Sequence, residues 1–281
     1  MQAISFGLRV GLLIDGNGGE PLPDALVRVE DGRIAAIGRA EDFGTAATGA
    51  ITYKQMVLLP GLVDCHAHPT LFPDRQPFEV QLQAPDEMMA LTAQRQLTVH
   101  LRSGVTAVRD CAARGQTMFW VREAIRRGFF PGPRLQLAGR AITHSAGHIC
   151  WAGGAADTPE EIRRNVRVLV TEGADVIKLV ASGGGTKGGI PYLAAYTVDE
   201  LRVGVDDHAE PGRVDETAIA EIHQDRPGTG LDRRLQRAPQ VRRRRVVELA
   251  TEVEGSNAIV EVLDLDGERC YRHVLEAANS R

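Results

Sequence analysis

Leu58-Leu59-Pro60-Gly61-Leu62-Val63-Asp64-Cys65-His66-Ala67-His68 is the stretch that decides the fold, because it ends an apolar strand with two imidazoles spaced i, i+2. Side chains alternate faces along a strand, so His66 and His68 project to one side and can grip one metal ion from a rigid backbone. Parallel-barrel enzymes place their chemistry at the C-terminal ends of strands, which is where this pair falls.

Downstream of Met56 the pattern alternates strand and helix, the rhythm of βα units and a parallel sheet. The expected strands are 57–65, 105–110, 134–141 and 175–181, with helices near 85–103, 117–128, 159–172 and from 197 onward. Two helix starts are well marked. Thr158-Pro159-Glu160-Glu161 offers an N-cap, a first-turn Pro and a Glu at N3, and Thr197-Val198-Asp199-Glu200 repeats the cap-to-N3 pairing. Upstream, residues 7–53 read as short alternating strands, with Asp31-Gly32 as a hairpin turn between two of them. The sequence therefore predicts an α/β protein: a small β module over 1–56 and about four βα units over 57–201.

Beyond Leu201 the order fails. Residues 227–245 show neither a period of two nor one of 3.6 and read as loop or disordered chain. Strand-like order returns only in 246–254 and 258–264, without continuing the βα alternation. His208 falls in the helical segment after Thr197, and His223 reads as helical rather than strand-ending.

A chain of 281 residues with 43% apolar content can bury a sizeable core, and its net charge of −4 gives no general reason for a polyanionic partner. The first ten residues lack a basic segment followed by an apolar run, and no stretch is long enough to span a bilayer, so a soluble cytoplasmic protein is expected. Cys65, Cys111, Cys150 and Cys270 are scattered, which speaks against a zinc ribbon and a disulfide scaffold. Arg242–Arg245 stand without an aromatic platform or a nucleic-acid-binding fold and read as a solvated charge run. The glycines at 183–185 lack the following Gly-Lys-Ser/Thr of a phosphate loop. Lysine occurs only at 54, 178 and 187, and Lys178 sits inside an apolar strand, where an ordinary ammonium is costly. Arg109 and Asp110 end the second strand and read as ties to its neighbours.

The chain resembles the amidohydrolase superfamily, within it the imidazolonepropionase-like and Xaa-Pro dipeptidase-like metal-dependent hydrolases. The resemblance is carried, in order, by the Leu59–His68 run, Gly104-Val105-Thr106-Ala107-Val108-Arg109-Asp110, Gly128-Phe129-Phe130-Pro131-Gly132-Pro133-Arg134, Gly147-His148-Ile149-Cys150-Trp151 and Gly173-Ala174-Asp175-Val176-Ile177-Lys178. It implies a partial (β/α)8 barrel, with the β module forming part of a composite β-sandwich. It implies His66 and His68 as ligands of a divalent metal, zinc first among candidates, and Lys178 as a carbamate bridging two such ions. His148 would line the pocket for a small amide substrate, and His144 is a weaker candidate beside it.

Full members of the superfamily add a His from each of the fifth and sixth strands and an Asp from the eighth, which shuttles the proton. No stretch here matches these, Asp264 and Asp266 included, so the catalytic acid/base is unknown from sequence. The composition change near residue 202 suggests a truncated or frame-shifted barrel, with the fourth strand left as an open edge. Two readings follow: a hydrolase of C–N bonds, and an inactive fragment with an incomplete metal site. A tail grafted on as an interaction segment is a third and weaker one. Nothing in the sequence fixes the oligomeric state.

Overall fold

The computed structural model describes residues 5–31, 33–183 and 194–208, the last three of these as backbone only, and the backbone of four short strands beyond. The N-terminal module contains β1 (Phe6–Leu13), β2 (Leu22–Glu30), β3 (Arg33–Arg39) and β4 (Ile51–Leu58), in the order β3-β2-β1-β4. Pairs β1–β2 and β2–β3 are antiparallel, and β4 runs parallel to β1. The alternating apolar positions Leu8, Val10, Ala25, Val27 and Val29 are buried on one face. The chain turns at Asp31, φ 52°, between β2 and β3, where the hairpin turn was expected; Gly32 lies outside the described residues.

β5 (Leu62–Ala67) opens the second region. It is followed by α1 (Pro77–Gln83), α2 (Asp86–Arg102), β6 (Val105–Asp110), α3 (Thr117–Arg126), β7 (Arg134–Leu137), α4 (Pro159–Glu172), β8 (Ile177–Val180) and α5 (Val198–His208). Strands β5, β6 and β7 pair in parallel. The third strand is shorter than expected because Gly139 turns the chain at φ 67°, where an added Cβ would strike Phe119 and Leu169. Pairing resumes one step on: the Ile142 amide donates to the Lys178 carbonyl at 2.8 Å and the Val180 amide to the Ile142 carbonyl at 2.9 Å. The parallel layer thus runs on to β8, and the helices pack on its outer side through Leu97, Val108, Met118 and Leu137, then through Ile162, Val166, Ile177 and Leu179.

Both helix caps form as the sequence predicts. The Thr158 hydroxyl accepts from the Glu161 amide at 3.2 Å, and Thr197 and Glu200 bond reciprocally, each side chain taking the other's amide.

The order expected to fail after Leu201 does not fail at once. β9 (Ala220–His223) pairs in parallel with β8, aligning Ala220 with Ile177 and His223 with Val180. His223 therefore ends a strand and is not helical, and the fourth strand is not an open edge. The physical reason is tertiary: the free amides and carbonyls of β8 offer a ladder that outweighs weak local preference in a four-residue segment. β10 (Leu249–Glu254), β11 (Asn257–Val262) and β12 (His273–Glu276) form an antiparallel sheet, close to where strand-like order was expected. Residues 227–245, Asp264, Asp266 and the glycines at 184 and 185 lie outside the described residues. The parallel strands form an open layer, with no closed barrel among the described residues.

Candidate metal centre

His66 and His68 come from the end of β5, where the register with β6 shifts between Asp64 and Ala67. Such an irregularity re-aims side chains at the end of a strand. Behind it, Asp64 braces the turn, accepting from the His66 amide at 3.1 Å and contacting His100 Nε2 of α2 at 3.3 Å. Gly61 permits the close approach of β5 to β6, since a Cβ there would lie 1.8 Å from the Thr106 methyl.

The two imidazoles converge as their spacing predicts: His66 Nε2 and His68 Nε2 are 3.3 Å apart. Two nitrogens about 2.05 Å from one tetrahedral ion are separated by about 3.3 Å, so the pair fits as cis ligands of a single metal. The Ala112 carbonyl lies 3.1 Å from His68 Nδ1, which assigns the proton to Nδ1 and leaves the Nε2 lone pair pointing into the site. Ala112 itself has φ 150°, an unusual conformation for a residue with a side chain, and this aims its carbonyl at the imidazole. Burial, with smaller contributions from Lys178, His66 and His148, pushes the His68 pKa down to about 4, so the ring is neutral and available as a ligand at physiological pH.

Lys178 lies on β8, 3% exposed, with its charge felt by both His68 and Asp110. Its strand neighbours Ile177 and Leu179 pack outward against α4, so alternation turns Lys178 inward. His148 and His68 line one pocket of about 40 Å³, walled by Phe78, Trp151, Gln81 and Leu71. His148 meets the Phe78 ring edge-on at 5.9 Å. Ile149, the next residue, is a β-branched side chain held at φ 52°, a strained turn that fixes the direction in which His148 leaves the backbone. His144 stays apart from this pocket: it is half-buried, bonded through Nδ1 to the Ser145 carbonyl at 2.6 Å and stacked edge-on against Tyr196.

Arg109 ties β6 to β7 through Gln136 at 3.2 Å, as expected. Asp110 does not act as such a tie. It is fully buried, and neither carboxyl oxygen completes a hydrogen bond within normal geometry. Burial raises its pKa to about 7, opposed in part by the Ala112 backbone and by Lys178. Among the described residues no group of three or more His, Cys, Asp or Glu side chains could hold a metal. Side-chain patterns hold no hint of the Ala112 carbonyl, a backbone group, whereas Trp151 stood within a quoted motif without an assigned role.

Residues 57–208, more than half of the chain, match the model of the Amidohydrolase family. The chain belongs to the amidohydrolase family. It is 31% identical over 242 residues to ochratoxinase from Aspergillus niger, a match covering 76% of this chain and 49% of that protein. The crystal structure of the A. niger ochratoxinase superposes with a TM-score of 0.66 at 29% identity, covering 80% of this chain and 57% of the other. A Xaa-Pro dipeptidase crystallised with methionine in its active site is alike in fold, with a TM-score of 0.67 at 24% identity over 79% of this chain and 57% of that one. This amidohydrolase chain spans about half the length of the relatives it matches.

Proposed function

We propose that this amidohydrolase domain serves a metal-dependent hydrolase that cleaves the C–N amide bond of a small molecule, with His66, His68 and a carbamylated Lys178 holding divalent metal, zinc first among the candidates. The observation that carries this reading is the 3.3 Å convergence of the two Nε2 atoms, with the outer nitrogen of His68 held on a carbonyl. A divalent ion in such a site supplies Lewis acidity and a nucleophilic water at neutral pH. The chain's own residues do the rest. His68 stays neutral and fixed in direction, Phe78 and Trp151 keep bulk water from the pocket wall, and His148 presents an N–H to the oxyanion developing on the substrate carbonyl. Carbamylation turns the buried Lys178 cation into an anion, which removes the electrostatic penalty of a lysine beside a metal.

The proposed partner is a small neutral or dipeptide-like amide in the cytoplasm, with neither nucleic acid nor membrane involved. The proposed units are a β module over 1–56, completed into a sandwich by C-terminal strands, a barrel half over 57–201 and a tail over 202–281. A second reading, an inactive fragment, is favoured by one observation: the described residues offer no third His or carboxylate ligand.

Zinc titration of the metal-stripped protein separates the two. Tight binding that weakens more than about tenfold in His68→Ala, and that strengthens with bicarbonate in the native chain but not in Lys178→Ala, supports the hydrolase reading. Failure to retain metal, or binding indifferent to all three side chains, favours the fragment.

A further inference from the structure

Helix α2 turns one face to the core through Met89, Ala93, Leu97 and Leu101, and the opposite face should be polar. It is not. The outward positions 88, 91, 95, 99 and 102 form a stripe with steps of three and four residues, and three of them are apolar and exposed: Met88 at 46%, Leu91 at 61% and Val99 at 52%. This stripe lies on the side of α2 opposite the buried Met89, Ala93, Leu97 and Leu101.

The charges along α2 say what fits. Asp86 and Glu87 stand in its first turn and Arg102 in its last. Asp86 is already bonded to Arg114 at 2.6 Å, which leaves Glu87 as the outward acid. In an antiparallel pair centred on residue 95, Leu91 of each helix meets Val99 of the other, Met88 packs along the stem of Arg102, and Glu87 lies beside the Arg102 guanidinium. The two Arg95 stems lie across the centre on apolar surface with their heads fanned into water. Such a patch is self-complementary, as a two-fold interface requires.

We infer that the outward face of α2 is an interface for a second copy of this chain, formed by antiparallel packing of Met88, Leu91 and Val99 about a two-fold axis at Arg95.

Sedimentation velocity over a concentration series tests this on the full chain. A reversible dimer is expected, weakened at least about tenfold in Leu91→Glu, with the far-UV circular dichroism unchanged because the position is exposed. Geometry gives a second test in a Cys65→Ser background. Arg95→Cys sits on the axis and should cross-link to its own copy under mild oxidation. Leu91→Cys should not, since its two copies lie about 12 Å apart along the helices, beyond the span of a disulfide. A monomer at every concentration overturns the inference, as does capture of the face by a different protein with no self-association. So does a dimer that Leu91→Glu leaves intact or that cross-links equally at both positions.

Discussion

His68 and Asp110 carry opposite pH signatures within one site. The folded chain keeps His68 neutral down to about 4, against an ordinary value of 6.5, so acid favours the unfolded chain, which takes up that proton more readily. The stability this group contributes is present above pH 6.5 and is lost on descending toward 4. Asp110 works the other way: the folded chain holds its proton to about 7 while the unfolded chain releases it near 3.8. Its contribution is complete below pH 3.8 and declines as pH rises toward 7. Each slope is worth at most about 1.4 kcal/mol per pH unit, and over the shared window they offset each other. Urea midpoints should therefore vary little between pH 4 and 6.5 in the native chain, rise steeply with pH in Asp110→Asn, and fall with pH in His68→Asn. Parallel profiles for the two variants would contradict this assignment. At this scale the histidine pair was legible because spacing in a strand dictates direction. Asp110 was not, because a strand-end aspartate looks the same in sequence whether it finds a partner or is buried without one.

At the scale of elements, two local devices set the geometry of the site. Gly61 lets β5 lie against Thr106, and Gly61→Ala places a methyl inside that contact. The expected loss is about 1–3 kcal/mol in chemical unfolding, from overpacking against the branched Thr106 side chain, whose Cβ lies 2.5 Å from the added methyl. Zinc affinity should drop with it, since β5 carries both histidines; unchanged affinity would detach the contact from the site. Thr158→Ala removes the cap of α4 and should lower stability by about 1 kcal/mol while leaving metal binding alone, because α4 packs on the outer side of β8. Helices α2, α3 and α4 were readable within a few residues from the strand–helix rhythm, and the start of α4 from its Thr158 cap as well. β7 and β8 came out shorter than their apolar runs, through Gly139 in one case. In the other, the Asp175 and Val176 amides both turn to the Leu137 carbonyl before the strand begins. β9 had no local signal of its own, being called into place by the ladder that β8 leaves available.

The molecule as a whole shows a parallel layer that ends on β5. Among the described residues β5 pairs only with β6, and its Leu62 and Val63 are 59% and 63% exposed. A flat apolar edge of this kind invites association with other strands. Val63→Lys should raise the protein concentration at which light scattering first appears, without altering zinc affinity, because Val63 and the histidines occupy different parts of the strand. An onset that does not move would place the sticky surface elsewhere. The chain spans about half the length of its relatives, and β9 carries the parallel layer one strand beyond the break in βα rhythm expected near residue 202.

Helix α4 separates the β7 and β8 segments of this layer in sequence, yet the site draws His66, His68 and Lys178 from within the first 178 positions. A ribosome delivers those positions in order, and each parallel strand can add to the one before it without waiting for the last third of the chain. On the proposed metal-site reading, all three side chains are therefore in place before the last third of the chain is made.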